Sequence, residues 1–118
     1  MENAVVTKSF QFAVRIVKLC RYLQTEKKEY TLSDQLLRSG TSIGANVEEA
    51  QQGTSRADFT FKLTIALKEA SESDYWLRLL RASDYLTEEE FSSVYADCKE
   101  LERLLTSIVK SARSKSEA

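Results

Sequence analysis

The stretch Leu32–Gly53, LSDQLLRSGTSIGANVEEAQQG, decides how the chain is read. Leu36, Gly40, Ile43, Val47 and Ala50 recur at the three- and four-residue steps of one helix face, which predicts a helix over about residues 33–52. Thr31 or Ser33 can cap its start by accepting a hydrogen bond from a free backbone N–H, and Gly53 stands where a left-handed terminator would end it. Gly40 and Gly44 inside it each cost about 1 kcal/mol of helix propensity relative to alanine. A helix that carries such a loss usually gains close backbone approach, and the Ala66, Ala70, Ser73 seam further along the chain is the expected neighbour. Ser42, Asn46 and Glu49 form a polar line flanking the apolar face. They read either as hydrogen-bonded helix-edge residues or as a ligand or partner site, because buried polar groups must find partners.

The segments on either side follow the same period. A first helix over about residues 3–26 carries Val5, Phe12, Ile16, Leu19 and Leu23 on its core face. At 100° per residue, Phe10, Val14 and Val17 lie roughly 160° away, where a monomer would face solvent. Between the two stripes run Lys8, Gln11, Arg15 and Lys18, either a solvated face or a strip that contacts phosphates. Ser55 with Asp58 opens a third helix, residues 56–83, whose seam is Phe59, Leu63, Ala66, Ala70, Ser73, Leu77 and Leu80. A second apolar stripe on it, Phe61, Ile65, Trp76 and Leu79, lies about 140° from that seam. Thr87 with Glu90 forms a capping box for a fourth helix, residues 88–113. Its apolar positions are Phe91, Val94, Cys98, Leu101, Leu105, Ile108 and Ala112, opposite a charged face of Asp97, Lys99, Glu100 and Arg103, and the tail SKSEA should fray.

Composition agrees with an all-α chain: in 118 residues there is no proline and there are only three glycines, so little interrupts a helix. Four amphipathic segments joined by short loops fit a single domain, an up-down-up-down antiparallel four-helix bundle. The surplus apolar stripes on the first and third helices point to a homo-oligomer, in which Phe10, Val14 and Val17 meet Phe61, Ile65, Trp76 and Leu79 of a neighbour. Two unlike faces meeting make a heterologous contact, which closes into a ring where the rotation allows. The alternative is that these residues thicken the core.

No window is apolar enough to span a membrane and the N-terminus lacks a signal-peptide pattern, so a cytoplasmic protein is expected. Cys20 and Cys98 have no CxxC spacing and the chain has no histidine, so both read as reduced packing residues and no metal or other cofactor is called for. Acid–base, nucleophilic and metal-assisted mechanisms each lack a member, which argues against an enzyme and against a small-molecule substrate. Seventeen Lys plus Arg against eighteen Asp plus Glu give a net charge of −1, but residues 3–30 hold six basic and two acidic residues.

The segments KSFQFAVRIVKL (Lys8–Leu19), SIGANVEEAQQG (Ser42–Gly53) and FTFKLTIALKEASESDYWLRLL (Phe59–Leu80) resemble the four-helix-bundle family of bacterial 23S ribosomal RNA intervening-sequence proteins. The pattern that carries the resemblance is Ser42, Ile43, Ala45, Asn46, Val47, Glu49 and Ala50. The resemblance implies a bacterial source and a homopentameric barrel of four-helix bundles. It also implies nucleic-acid binding, because the accessory protein of diversity-generating retroelements resembles this family and uses a basic surface to bind nucleic acid and a reverse transcriptase. The leading expectation is therefore a non-catalytic oligomeric scaffold that binds structured RNA, other nucleic acid or a nucleoprotein through Lys8, Arg15, Lys18 and Arg21. Five copies of a short basic strip would act through avidity. The alternative is a structural or protein-interaction ring with no nucleic-acid role.

Overall fold

Local signals set the helix boundaries of the computed structural model, which describes residues 3–117. Helix α1 (Ala4–Thr25) starts where the Asn3 side chain accepts a hydrogen bond from the Val5 amide at 3.2 Å. Helix α2 (Thr31–Gln51) begins two residues earlier than the sequence suggested, and neither Thr31 nor Ser33 caps it. The Glu29 carboxylate does so, accepting from the amides of Leu32 at 3.1 Å and Ser33 at 2.7 Å. Helix α3 (Arg56–Ala82) is capped by Ser55, which accepts from the Asp58 amide. Helix α4 (Glu88–Glu117) opens with the reciprocal Thr87–Glu90 box and runs to Glu117, into the tail expected to fray, whose last residue, Ala118, lies outside the described residues.

The fold is all-α, with four helices and no strand among the described residues. Each helix packs on two others: α1 on α2 and α4, and α3 on α2 and α4, with α1 against α4 the thinnest seam. Between them lies a core that includes Phe12, Ile16, Leu36, Ile43, Leu63, Leu77, Leu101 and Leu105. The expected face of α2 is buried throughout, and so is the α3 seam except Phe59, which is half-buried. On α1, Ser9 and Cys20 are buried while Leu19 is half-buried; on α4, Val109 is buried where Ile108 was expected, and Ile108 and Phe91 are half-buried. The 3.6-residue period drifts against a strict heptad, so over several turns the buried position moves by one residue.

The glycines of α2 face a different helix from the one expected. A Cβ on Gly40 would stand 2.8 Å from Ile16 Cγ2 and 2.9 Å from Ile16 Cγ1, and one on Gly44 would stand 3.3 Å from the Ser9 carbonyl oxygen. Both contacts are with α1, not with Ala66 and Ala70 of α3. The α2/α3 seam is instead tied by the buried hydroxyls of Ser39 and Ser73, 2.8 Å apart. Gly53 is not a left-handed terminator either, since no glycine among the described residues has positive φ. Its place is tight: a Cβ there would come within 3.1 Å of the Ala50 carbonyl oxygen.

Candidate functional site

The α1 strip is divided by its neighbours. Lys8 Nζ donates to Glu100 Oε2 at 2.6 Å, and Arg15 Nη1 donates to Asp97 Oδ2 at 2.7 Å. Half of the cations expected to contact phosphate are thus paired across the α1/α4 seam, with acids that the sequence placed on a solvated face. Lys18 and Arg21 have no acidic partner within 4 Å among the described residues. Together with Phe10, Ala13, Val14 and Val17 they line a shallow depression on the outer side of α1.

The two surplus apolar stripes differ in kind. Phe10 is 63% exposed, with Val14 and Val17 near 39% and 38%, so the α1 stripe is open. On α3 only Phe61, 61% exposed, is open; Ile65 and Leu79 are half-buried. Trp76 is half-buried too, packs against the core and donates its Nε1–H to Glu72 at 2.9 Å. Tyr75 is exposed beside it, which the helical arithmetic missed. No Cα of α1 lies within 8 Å of one of α3, so the two helices sit across the shared core from each other and the faces they turn away from it lie on opposite sides of the molecule.

The polar line of α2 finds its partners along the helix and across to α3. Ser42 Oγ donates to the Arg38 carbonyl at 2.7 Å, Asn46 Nδ2 donates to the Ser42 carbonyl at 2.9 Å, and Glu49 accepts from Lys62 of α3 at 3.0 Å.

A buried acidic pair between α3 and α4 went unread in the sequence. The Asp74 carboxylate accepts from Arg78 Nε at 2.8 Å, Tyr95 Oη at 2.9 Å and Lys99 Nζ at 3.2 Å. Burial works to raise its pKa, but hydrogen bonds from Glu102, Arg78, Tyr95 and Lys99 outweigh that and hold it well below the usual carboxylate range. Glu102 carries the opposite shift: burial first, then the hydrogen bond to Asp74 and its charge, push it up to about 7. The pair therefore favours one shared proton. The i,i+4 spacing of Asp74 and Arg78 was the available signal, and Asp74 adjoins the buried Ser73 on the seam.

Both cysteines are buried and held as thiols: burial, then nearby carboxylates, push Cys20 up to about 12 and raise Cys98 as well. Cys20 Sγ donates to the Ser33 carbonyl and Cys98 Sγ to the Ala70 carbonyl. Among the described residues no cluster of Cys, Asp and Glu is placed to hold a metal ion, and no helix is long and apolar enough to cross a membrane.

These features define an all-α, four-helix protein whose distinguishing chemistry lies on its outer faces. The sequence pattern of the 23S rRNA-intervening sequence proteins matches residues 1–107, and the chain belongs to that family. It is also similar to a solved structure from Bacteroides thetaiotaomicron VPI-5482, a protein with unknown function from the S23 ribosomal protein family. The two share 56% identity and a TM-score of 0.88, over 90% of this chain and 98% of that one. Among curated proteins none matches the chain.

Proposed function

We propose that the chain is a non-catalytic, cytoplasmic scaffold: an up-down-up-down four-helix bundle that assembles into a homo-oligomeric ring and binds structured RNA through cations repeated around it. The observation that carries the reading is the pair of apolar outer faces on opposite sides of the molecule, Phe10, Val14 and Val17 on α1 and Phe61 on α3. A protomer with unlike faces on opposite sides joins a neighbour on each side, and such contacts close into a ring when the rotation between neighbours divides a full turn. A homopentamer is the stoichiometry that the family resemblance implies. RNA is the partner that the 23S rRNA-intervening sequence family suggests, and Lys18 and Arg21 at the rim of the α1 depression supply unpaired positive charge for it. The ion pairs of Lys8 and Arg15 favour the second reading, a ring that contacts only proteins.

Light scattering tests the assembly: the chain should have the mass of five protomers, and Phe10→Lys should lower it. A monomeric wild-type chain would refute the ring. Filter binding of structured RNA at 50 and 200 mM salt tests the partner, with affinity falling steeply as salt rises; no retention at the lower salt would leave the protein-only ring.

A further inference from the structure

Helix α4 segregates its charge along its length. Its acids lie between Glu88 and Glu102, apart from Glu117 at the end, whereas every charged residue from Arg103 to Lys115 is a cation. Two adjoining depressions run along this basic half and share Ser107 as a lining residue. One passes Arg103 and Lys110; the other, of about 660 Å³, passes Arg56 and Phe59 of α3, then Ile108 and Lys115. Unlike Lys8 and Arg15, none of Arg56, Arg103, Lys110 and Lys115 has an acidic partner within 4 Å among the described residues. Glu102, the one carboxyl among the described residues that line them, is engaged with Asp74 and Lys99. Phe59 and Ile108 are half-buried, pack against the core and form an apolar floor between the cations.

At 1.5 Å per residue, Arg103 and Lys115 are about 18 Å apart along the helix, so their charges can serve successive phosphates rather than a single anion. A cationic track beside an aromatic and aliphatic floor suits a single strand, whose bases are free to stack, better than a duplex that hides them. We infer that this α4 groove is a phosphate-binding face of the protein and takes an unpaired stretch of RNA, its backbone along Arg103, Lys110, Lys115 and Arg56 and its bases over Phe59 and Ile108. The inference rests on the RNA-binding reading above and adds α4 to the cations of α1.

The test uses the full chain and a twenty-nucleotide oligouridine, measured by fluorescence anisotropy at several salt concentrations. Arg103→Ala with Lys110→Ala should weaken binding at least tenfold at low salt and lower the salt dependence by about one contact per cation removed. Ser107→Glu, which sets an acid where the two depressions meet, should weaken binding as well. Lys8→Ala with Arg15→Ala should bind within about twofold of wild type. All of these side chains are exposed or half-buried, and unchanged helical circular dichroism verifies folding. Undiminished binding by the α4 double variant and by Ser107→Glu would overturn the site while leaving RNA binding intact. Failure of the wild-type chain to bind any RNA would overturn the broader reading along with it. Equal affinity for duplex RNA of the same length, or equal competition by polyglutamate, would overturn the assignment of base contacts.

Discussion

Replacing Gly40 with alanine tests which helix α2 leans on. Helix propensity alone predicts a gain of about 1 kcal/mol. Against it stands the new methyl group, 2.8 and 2.9 Å from two carbons of Ile16 and 3.2 Å from a third, its Cβ. Ile16 is fully buried and its clashing atoms lie next to its backbone, so relief requires α1 itself to shift rather than a side-chain tip to swing away. Overpacking of this kind costs about 1–3 kcal/mol, and the short distances place it near the upper end. The expected net result is a loss of about 2 kcal/mol, or roughly 5–10 °C in Tm for a chain of this size. Gly44→Ala meets its nearest atom at 3.3 Å and should be close to neutral, because a few tenths of an ångström of movement suffice there. Thermal unfolding by circular dichroism at one fixed protein concentration measures both, the fixed concentration holding the contribution from assembly constant. A double-mutant cycle adds direction: Ile16→Ala should show favourable coupling to Gly40→Ala, and Ala70→Gly should show none. Stabilisation by Gly40→Ala, or coupling to Ala70 instead of Ile16, would refute the packing described.

Two further perturbations probe the α3 seams. Folded Glu102 holds a proton up to about pH 7, whereas the unfolded carboxyl loses it near its ordinary value of 4.5. Its contribution is therefore fully present below about pH 4.5 and is lost as pH rises through about 7, by about 1 kcal/mol after allowing for solvent screening. With no histidine in the chain to titrate in that interval, urea unfolding from pH 5 to 8 should show falling stability in wild type and a flatter profile in Glu102→Gln; matching profiles would refute the shift. At the α2/α3 seam, Ser73→Ala should cost about 1 kcal/mol in urea unfolding by leaving the buried Ser39 hydroxyl with poorer partners, and Ser39→Ala with Ser73→Ala should cost less than the two single changes added together; strict additivity would show that the 2.8 Å contact carries no energy.

The helices were legible because they are written in local terms: Leu36, Ile43 and Val47 repeat at helical spacing, and Ser55 and Thr87 cap as their neighbours demand. Which helix meets which face is a tertiary property, and there the sequence was silent. Gly40 and Gly44 announce close approach but not the partner, since α1 and α3 each offer small or shape-compatible surface. The same limit applies to charge. The Lys8 and Arg15 strip looked solvated or phosphate-binding because the pairing acids, Glu100 and Asp97, lie 92 and 82 residues away. Asp74 and Glu102 were hidden for the opposite reason: burial gives them their character, and in a helix-rich charged sequence they resemble any surface acid.

A net charge of −1 would ordinarily argue against a polyanion partner, but the field that a phosphate meets is local. At physiological salt, charges are screened over about 8 Å, whereas the molecule is 50 Å long. Glu88 and Lys110 are 22 residues apart on α4, about 33 Å along the axis, or some four screening lengths. The acids at the start of α4 therefore cannot cancel the cations near its end. Other acids are taken up by ion pairs on the surface: Asp97 and Glu100 with Arg15 and Lys8, Glu69 and Glu72 with Arg38, and Glu49 with Lys62. Ion pairing removes cations from the α1 strip, whereas Arg103, Lys110, Arg113 and Lys115 have no acidic partner within 4 Å among the described residues. Exposed pairs of this kind add little stability, so their larger effect is on where the uncompensated charge sits. In a ring, that charge recurs in every protomer, and modest affinity at each groove would combine through avidity for one long RNA strand.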